Sequence, residues 1–66
     1  MQVTINGAKD SIPDDLSVAG LLTRLKVEPI RAAVEINENL VRRTTWTKTM
    51  VREGDRIEIV TLVGGG

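Results

Sequence analysis

A single stripe of helix-period apolar residues governs what these 66 residues can become. Val18, Leu21, Leu22 and Leu25 fall at i, i+3, i+4 and i+7, which puts them on one face of an α-helix. The other apolar positions alternate instead, as strands do: Val3 and Ile5, then Ala32, Val34 and Ile36, then Ile57 and Ile59. One helix therefore has to cover one apolar face of one sheet. A chain of this length hides only about 60% of its unfolded surface, so a single domain with a thin core is expected.

Local signals place the elements. Val3 to Ile5 reads as a strand, and Asn6-Gly7 suits a hairpin turn because both residues tolerate positive φ. A second strand is expected from about Lys9 to Ile12. A two-residue loop would put Asp10 on the apolar face, so Asp10 should lie at the sheet margin unless the loop is longer. Ser17 can cap the helix with its hydroxyl, Leu16 and Leu21 can form a hydrophobic staple, and Asp14 and Asp15 lie near the positive end of the helix dipole. Gly20 is expected to allow close packing on the sheet, and the helix should end near Lys26, before Pro29. A third strand takes in Ala32 to Ile36, Asn37-Glu38-Asn39 is turn chemistry, and Leu40-Val41 is a short fourth strand. One tight helical turn is expected around Trp46, with Trp46 a partly buried plug. After the turn at Glu53-Gly54-Asp55, Arg56 to Val60 is the clearest strand. Strand, strand, helix, strand, short strand, strand is the order of a β-grasp: an α+β fold with a mixed sheet of about five strands and one helix across it.

Composition narrows function by removal. Nine basic and nine acidic residues cancel, with four of each sign in residues 1–33, so no basic face for nucleic acid is expected. The chain has no Cys and no His, which removes thiolate and imidazole chemistry and the usual zinc ligands. It has no Tyr or Phe, and Trp46 alone cannot make a base-stacking platform. No apolar run is long enough to span a membrane, and the alternating start is unlike a signal peptide, so a cytoplasmic location is expected. Ser11 and Ser17 have no base to activate them, and the carboxylates are scattered. Arg42-Arg43, the one basic doublet, reads as a solvated strand end rather than an anion site.

The ending is the remaining candidate. Gly64, Gly65 and Gly66 follow the strongest strand. A run of glycine has no Cβ to obstruct a narrow channel and could carry a terminal carboxylate into another protein's active site. The bland alternative is a frayed terminus. Leu62 and Val63, at the root of the run, either anchor a partner or close the core. The expected division is a β-grasp domain over 1–63 and a flexible glycine tail over 64–66.

These blocks resemble the ThiS family of sulfur carriers in thiamine biosynthesis. The resemblance rests on Val3-Thr4-Ile5-Asn6-Gly7, Leu16-Ser17-Val18-Ala19-Gly20-Leu21-Leu22, Ala33-Val34-Glu35-Ile36-Asn37, Glu53-Gly54-Asp55-Arg56-Ile57-Glu58-Ile59-Val60 and the ending Val63-Gly64-Gly65-Gly66. It implies a ubiquitin-like fold and a protein co-substrate rather than an enzyme. An adenylating partner enzyme, using ATP and magnesium, would activate the carboxylate of Gly66, and a sulfur donor protein would convert it to a thiocarboxylate. A thiazole synthase would then take the sulfur. Gly65 would fit the narrow channel, and Gly64 is one glycine more than the family usually carries. Leu62, Val63, Gly64, Gly65, Arg56 and Glu58 are the expected partner-binding residues. The chain is expected to bind no cofactor, metal, nucleic acid or membrane and to be a monomer when free. Two alternatives stay open: a carrier like the small subunit of molybdopterin synthase, and a β-grasp interaction module without covalent chemistry.

Overall fold

The computed structural model describes residues 1–62; Val63, Gly64, Gly65 and Gly66, and with them the expected tail and its boundary, lie outside the described residues. The elements run β1 (Gln2–Ile5), β2 (Ala8–Ser11), α1 (Val18–Arg24), a 3₁₀ turn at Pro29–Arg31, β3 (Ala32–Ile36), β4 (Asn39–Val41), a 3₁₀ turn at Arg43–Thr45, and β5 (Arg56–Thr61). The sheet order is β2-β1-β5-β3-β4. β1 and β5 are parallel, and the other three pairings are antiparallel. The expected β-grasp is thus present, with β5 at its centre.

The β1–β2 loop has two residues, since Ile5 pairs with Ala8. Asn6 (φ 50) and Gly7 (φ 85) are both left-handed, as a type I′ turn demands. Asp10 pairs with buried Val3 but is itself exposed on the edge strand, which settles the register conflict in favour of the sheet margin. β2 stops at Ser11, one residue before the expected end, yet Ile12 is buried just beyond it.

Helix α1 has an acceptor for each backbone N–H of its first turn. The Ser17 Oγ accepts from the Gly20 N–H at 3.0 Å, as the sequence predicts. The Val18 and Ala19 N–H groups donate to the carbonyls of Thr49 and Trp46 at 2.9 and 3.0 Å, and Leu21 N–H donates to Ser17 O. The segment after β4 therefore caps the helix from a distance of about 30 residues, a contact with no local signal in the sequence. At the other end the helix stops at Arg24, two residues before the expected end. Lys26 adopts φ 59, its N–H donates to Thr23 O, and Val27 N–H donates to Leu22 O. This is a Schellman ending with lysine at the position glycine usually fills.

The core joins Val18, Leu21 and Leu22 of the helix to Val3, Ala32, Val34, Ile57 and Ile59 of the sheet, while Leu25, Ile5 and Ile36 are half-buried against it. Three further members come from irregular chain: Ile12, Trp46 and Val51. Trp46 is more deeply buried than expected, with 4% exposure, because its indole N–H finds a partner in Val41 O at 2.8 Å. Gly20 does not serve the sheet. A Cβ there would come within 2.9 Å of Leu16 Cδ1, so its bareness makes room for the residue before the cap.

Candidate functional site

The C-terminal part of β5 and its surroundings form the candidate site. Alternation along Arg56–Thr61 sends Ile57 and Ile59 into the core and leaves Arg56, Glu58 and Val60 outward. Register then fixes their neighbours. Arg56 lies beside Thr4 of β1, Glu58 opposite Glu35, and Val60 opposite Ala33, while Leu40 of β4 pairs with Glu35. The outward surface of β5 is therefore charged at Arg56 and Glu58 and apolar from Val60 onward, while Leu40 lies in the row of Glu35 and Glu58. Val60, Leu40 and Leu62 are 59%, 67% and 71% exposed. Of the two readings of Leu62, closure of the core is excluded. Val63 lies outside the described residues.

Arg56 Nη2 sits 3.4 Å from Glu38 Oε2, an exposed pair worth little to stability. Arg56, Glu58, Glu38, Thr4 and Gly7 line a surface cavity of 210 Å³, on which the two hairpin turns border. Glu35 and Glu58 face one another across the β3–β5 ladder, and neither joins an ion pair among the described residues. Like charges directly opposed in an antiparallel pair oppose folding rather than support it.

The end of β5 is held on both sides. Toward β3, the Leu62 N–H donates to Arg31 O at 2.8 Å. Toward β1, the ladder ends when the chain turns at Asn6, whose N–H donates to Ile57 O at 2.8 Å. Beyond that point the Asn6 side chain replaces the missing strand. Its Oδ1 accepts from Ile59 N–H at 2.8 Å, and its Nδ2 donates to Ile59 O at 3.2 Å. Sequence reasoning treats Asn6 only as a turn residue; the bidentate contact spans 53 positions and no local pattern announces it.

Other candidates fall to structural roles. Ser17 is consumed as the helix cap, and Ser11 is exposed on β2. Arg43 donates to Ile30 O at 3.1 Å and lies 5.8 Å from the centre of the Trp46 ring, so it ties the two 3₁₀ turns together. Among the described residues, no group of three or more acidic side chains is placed to hold a metal ion, and no helix is long and apolar enough to cross a membrane.

A parallel pair of terminal strands at the centre of a five-stranded sheet, with one capped helix over its apolar face, defines a ubiquitin-like β-grasp with its last strand leading into a glycine run. Within that class the chain belongs to the ThiS family, whose model matches residues 2–66. The crystal structure of the thiamine biosynthesis protein ThiS from Geobacter metallireducens is similar over the full length of both chains, with 33% identity and a TM-score of 0.86. The sulfur carrier protein ThiS of Escherichia coli is 30% identical over all 66 residues of each chain. A thiazole synthase of Paramagnetospirillum magneticum is 35% identical over the same 66 residues, and there the chain spans 20% of the relative's length.

Proposed function

We propose that this chain is a sulfur carrier of thiamine biosynthesis and that the carboxylate of Gly66 is the group it carries through chemistry. The observation that bears most weight is that the family match runs through the final glycine, to residue 66. The outward apolar surface of Val60 and Leu62 lies at the root of that segment and supports a docking role. The opposed Glu35 and Glu58 support it too, since a pairing unfavourable to the free fold is better explained by a partner than by stability.

The proposed chemistry needs nothing from the chain except a terminal carboxylate. A carboxylate resists nucleophiles because oxide is a poor leaving group. Attack of the Gly66 carboxylate oxygen on the α-phosphorus of ATP, within an adenylating enzyme, expels pyrophosphate and makes an acyl-adenylate. A sulfur nucleophile from a donor protein then attacks the acyl carbon and displaces AMP. That nucleophile is a persulfide, so the product is an acyl disulfide. A second thiol of the donor attacks the donor-side sulfur of the S–S bond, the donor is left with a disulfide, and the thiocarboxylate departs, its sulfur then passing to thiazole synthase. The matching segment within the Paramagnetospirillum thiazole synthase supports a working connection between the two proteins. Residues 63–66 span at most about 14 Å beyond Leu62, enough for a glycine thread to enter a channel that side chains would block.

Intact mass tests this reading. After reaction with ATP, the adenylating enzyme and a sulfur donor, the chain should gain the mass difference between sulfur and oxygen, located in its C-terminal peptide. Removal of Gly66 shortens the reach by about 3.6 Å and should abolish the gain without unfolding the domain, and Gly65→Val should do the same by steric exclusion. A chain that never acquires the mass, or one lacking Gly66 that acquires it equally fast, overturns the proposal.

A further inference from the structure

We infer that Asn6 is a positioning residue for the C-terminal segment, acting through the backbone of Ile59; the inference rests on the carrier reading above. β1 ends at Ile5, while β5 continues to Thr61. The central strand thus outruns its parallel neighbour just before the segment that has to be delivered. Without a substitute, the N–H and C=O of Ile59 would face no protein partner on that side. The carboxamide of Asn6 meets both, with an acceptor at 2.8 Å and a donor at 3.2 Å, and so behaves as one added strand residue. The left-handed φ of Asn6 sends the main chain away into the hairpin while leaving the side chain beside β5.

The consequence is angular. Arg31 O holds β5 from one side at Leu62 and Asn6 holds it from the other at Ile59, so the strand cannot pivot within the sheet. Loss of either hold would change the direction in which the chain leaves the sheet at Leu62. Reaction geometry tolerates little change, and a misplacement of about 1 Å can cost up to a hundredfold. Asn6 touches no reacting atom. Its contribution is to aim the segment, and docking through the outward face of β5 does not require it.

Asn6→Gly tests the assignment in the full chain. Glycine accepts φ near 50° and keeps the turn, but it removes both contacts to Ile59. Steady-state adenylation with ATP and the adenylating enzyme should show kcat reduced by about tenfold to a hundredfold with KM for the carrier unchanged. Hydrogen exchange at the Ile59 amide should accelerate at least about tenfold relative to Ile57. Ser17→Ala is the stability control, since it loosens the helix cap far from β5 and should leave kcat as in the wild type. If Asn6→Gly does not fold at the assay temperature, Asn6→Asp keeps the acceptor, loses the donor and should show a smaller fall in kcat. Wild-type kcat in the folded Asn6 variant, or an equal fall in Ser17→Ala, overturns the inference. A wild-type chain that is never adenylated overturns the carrier reading instead, and the exchange rate at Ile59 still shows whether the clamp exists.

Discussion

At the scale of single residues, the most informative positions are those whose backbone contradicts their side chain. Lys26 and Glu38 sit at φ 59 and φ 70, where an L-residue with a Cβ is strained by about 1–2 kcal/mol. Lys26 occupies the C′ position of the helix ending, and Glu38 is the second residue of a two-residue hairpin loop whose counterpart in the first hairpin is Gly7. Replacing either by glycine should relieve strain, less the extra entropy glycine brings to the unfolded chain. Lys26→Gly should therefore stabilise by about 0.5–1 kcal/mol, seen as a rise of a few degrees in thermal midpoint. Glu38→Gly gains similarly, because the exposed contact it gives up to Arg56 is worth little. Neither strained position is visible in the sequence. Asn6-Gly7 announced its turn by composition, whereas Asn37-Glu38 builds the same geometry from residues of which only the first favours it.

Elements were legible where a period repeated and obscure where it did not. The stripe from Val18 to Leu25 and the alternation of Ile57 and Ile59 name their structures because burial on one face imposes those spacings. Leu22 has no exposed surface, so Leu22→Ala should cost about 2–5 kcal/mol, measured by denaturant unfolding. In a domain of this size that is on the order of the whole stability. Ile12, Trp46 and Val51 complete the same core from irregular chain, and no period could have exposed them. The 3₁₀ turn at Pro29–Arg31 also has no periodic signal; it lies in the crossover, where Pro29 reads only as a helix stop. The distant cap on α1 explains why a loop so weakly patterned has a fixed path. Two of its carbonyls accept N–H groups that the helix cannot satisfy itself.

For the whole molecule, the outer face of the sheet is where the proposed docking can be tested apart from stability. Leu62 is 71% exposed, so Leu62→Glu should leave the thermal midpoint within a degree or two while weakening the complex with the adenylating enzyme, read by titration calorimetry. An unchanged affinity for that enzyme would rule out the docking role of Leu62. The position of the candidate site was legible because β5 leads directly into the glycine run. The means of aiming it was not, because Asn6 and Ile59 meet only after the fold has closed. That closure has a kinetic consequence. Thr4 pairs with Arg56, so the first contact between β1 and β5 closes a loop of about 50 residues, at an entropic cost on the order of 3–4 kcal/mol. Contacts so distant in sequence slow folding, and the central strand is also the last to be synthesised. A nascent chain that has not yet delivered Arg56–Thr61 has two hairpins and a helix but no strand to join the hairpins into one sheet. A fragment of residues 1–50 should accordingly show no cooperative thermal transition, so that the strand leading into the glycine run also decides when the chain becomes a protein.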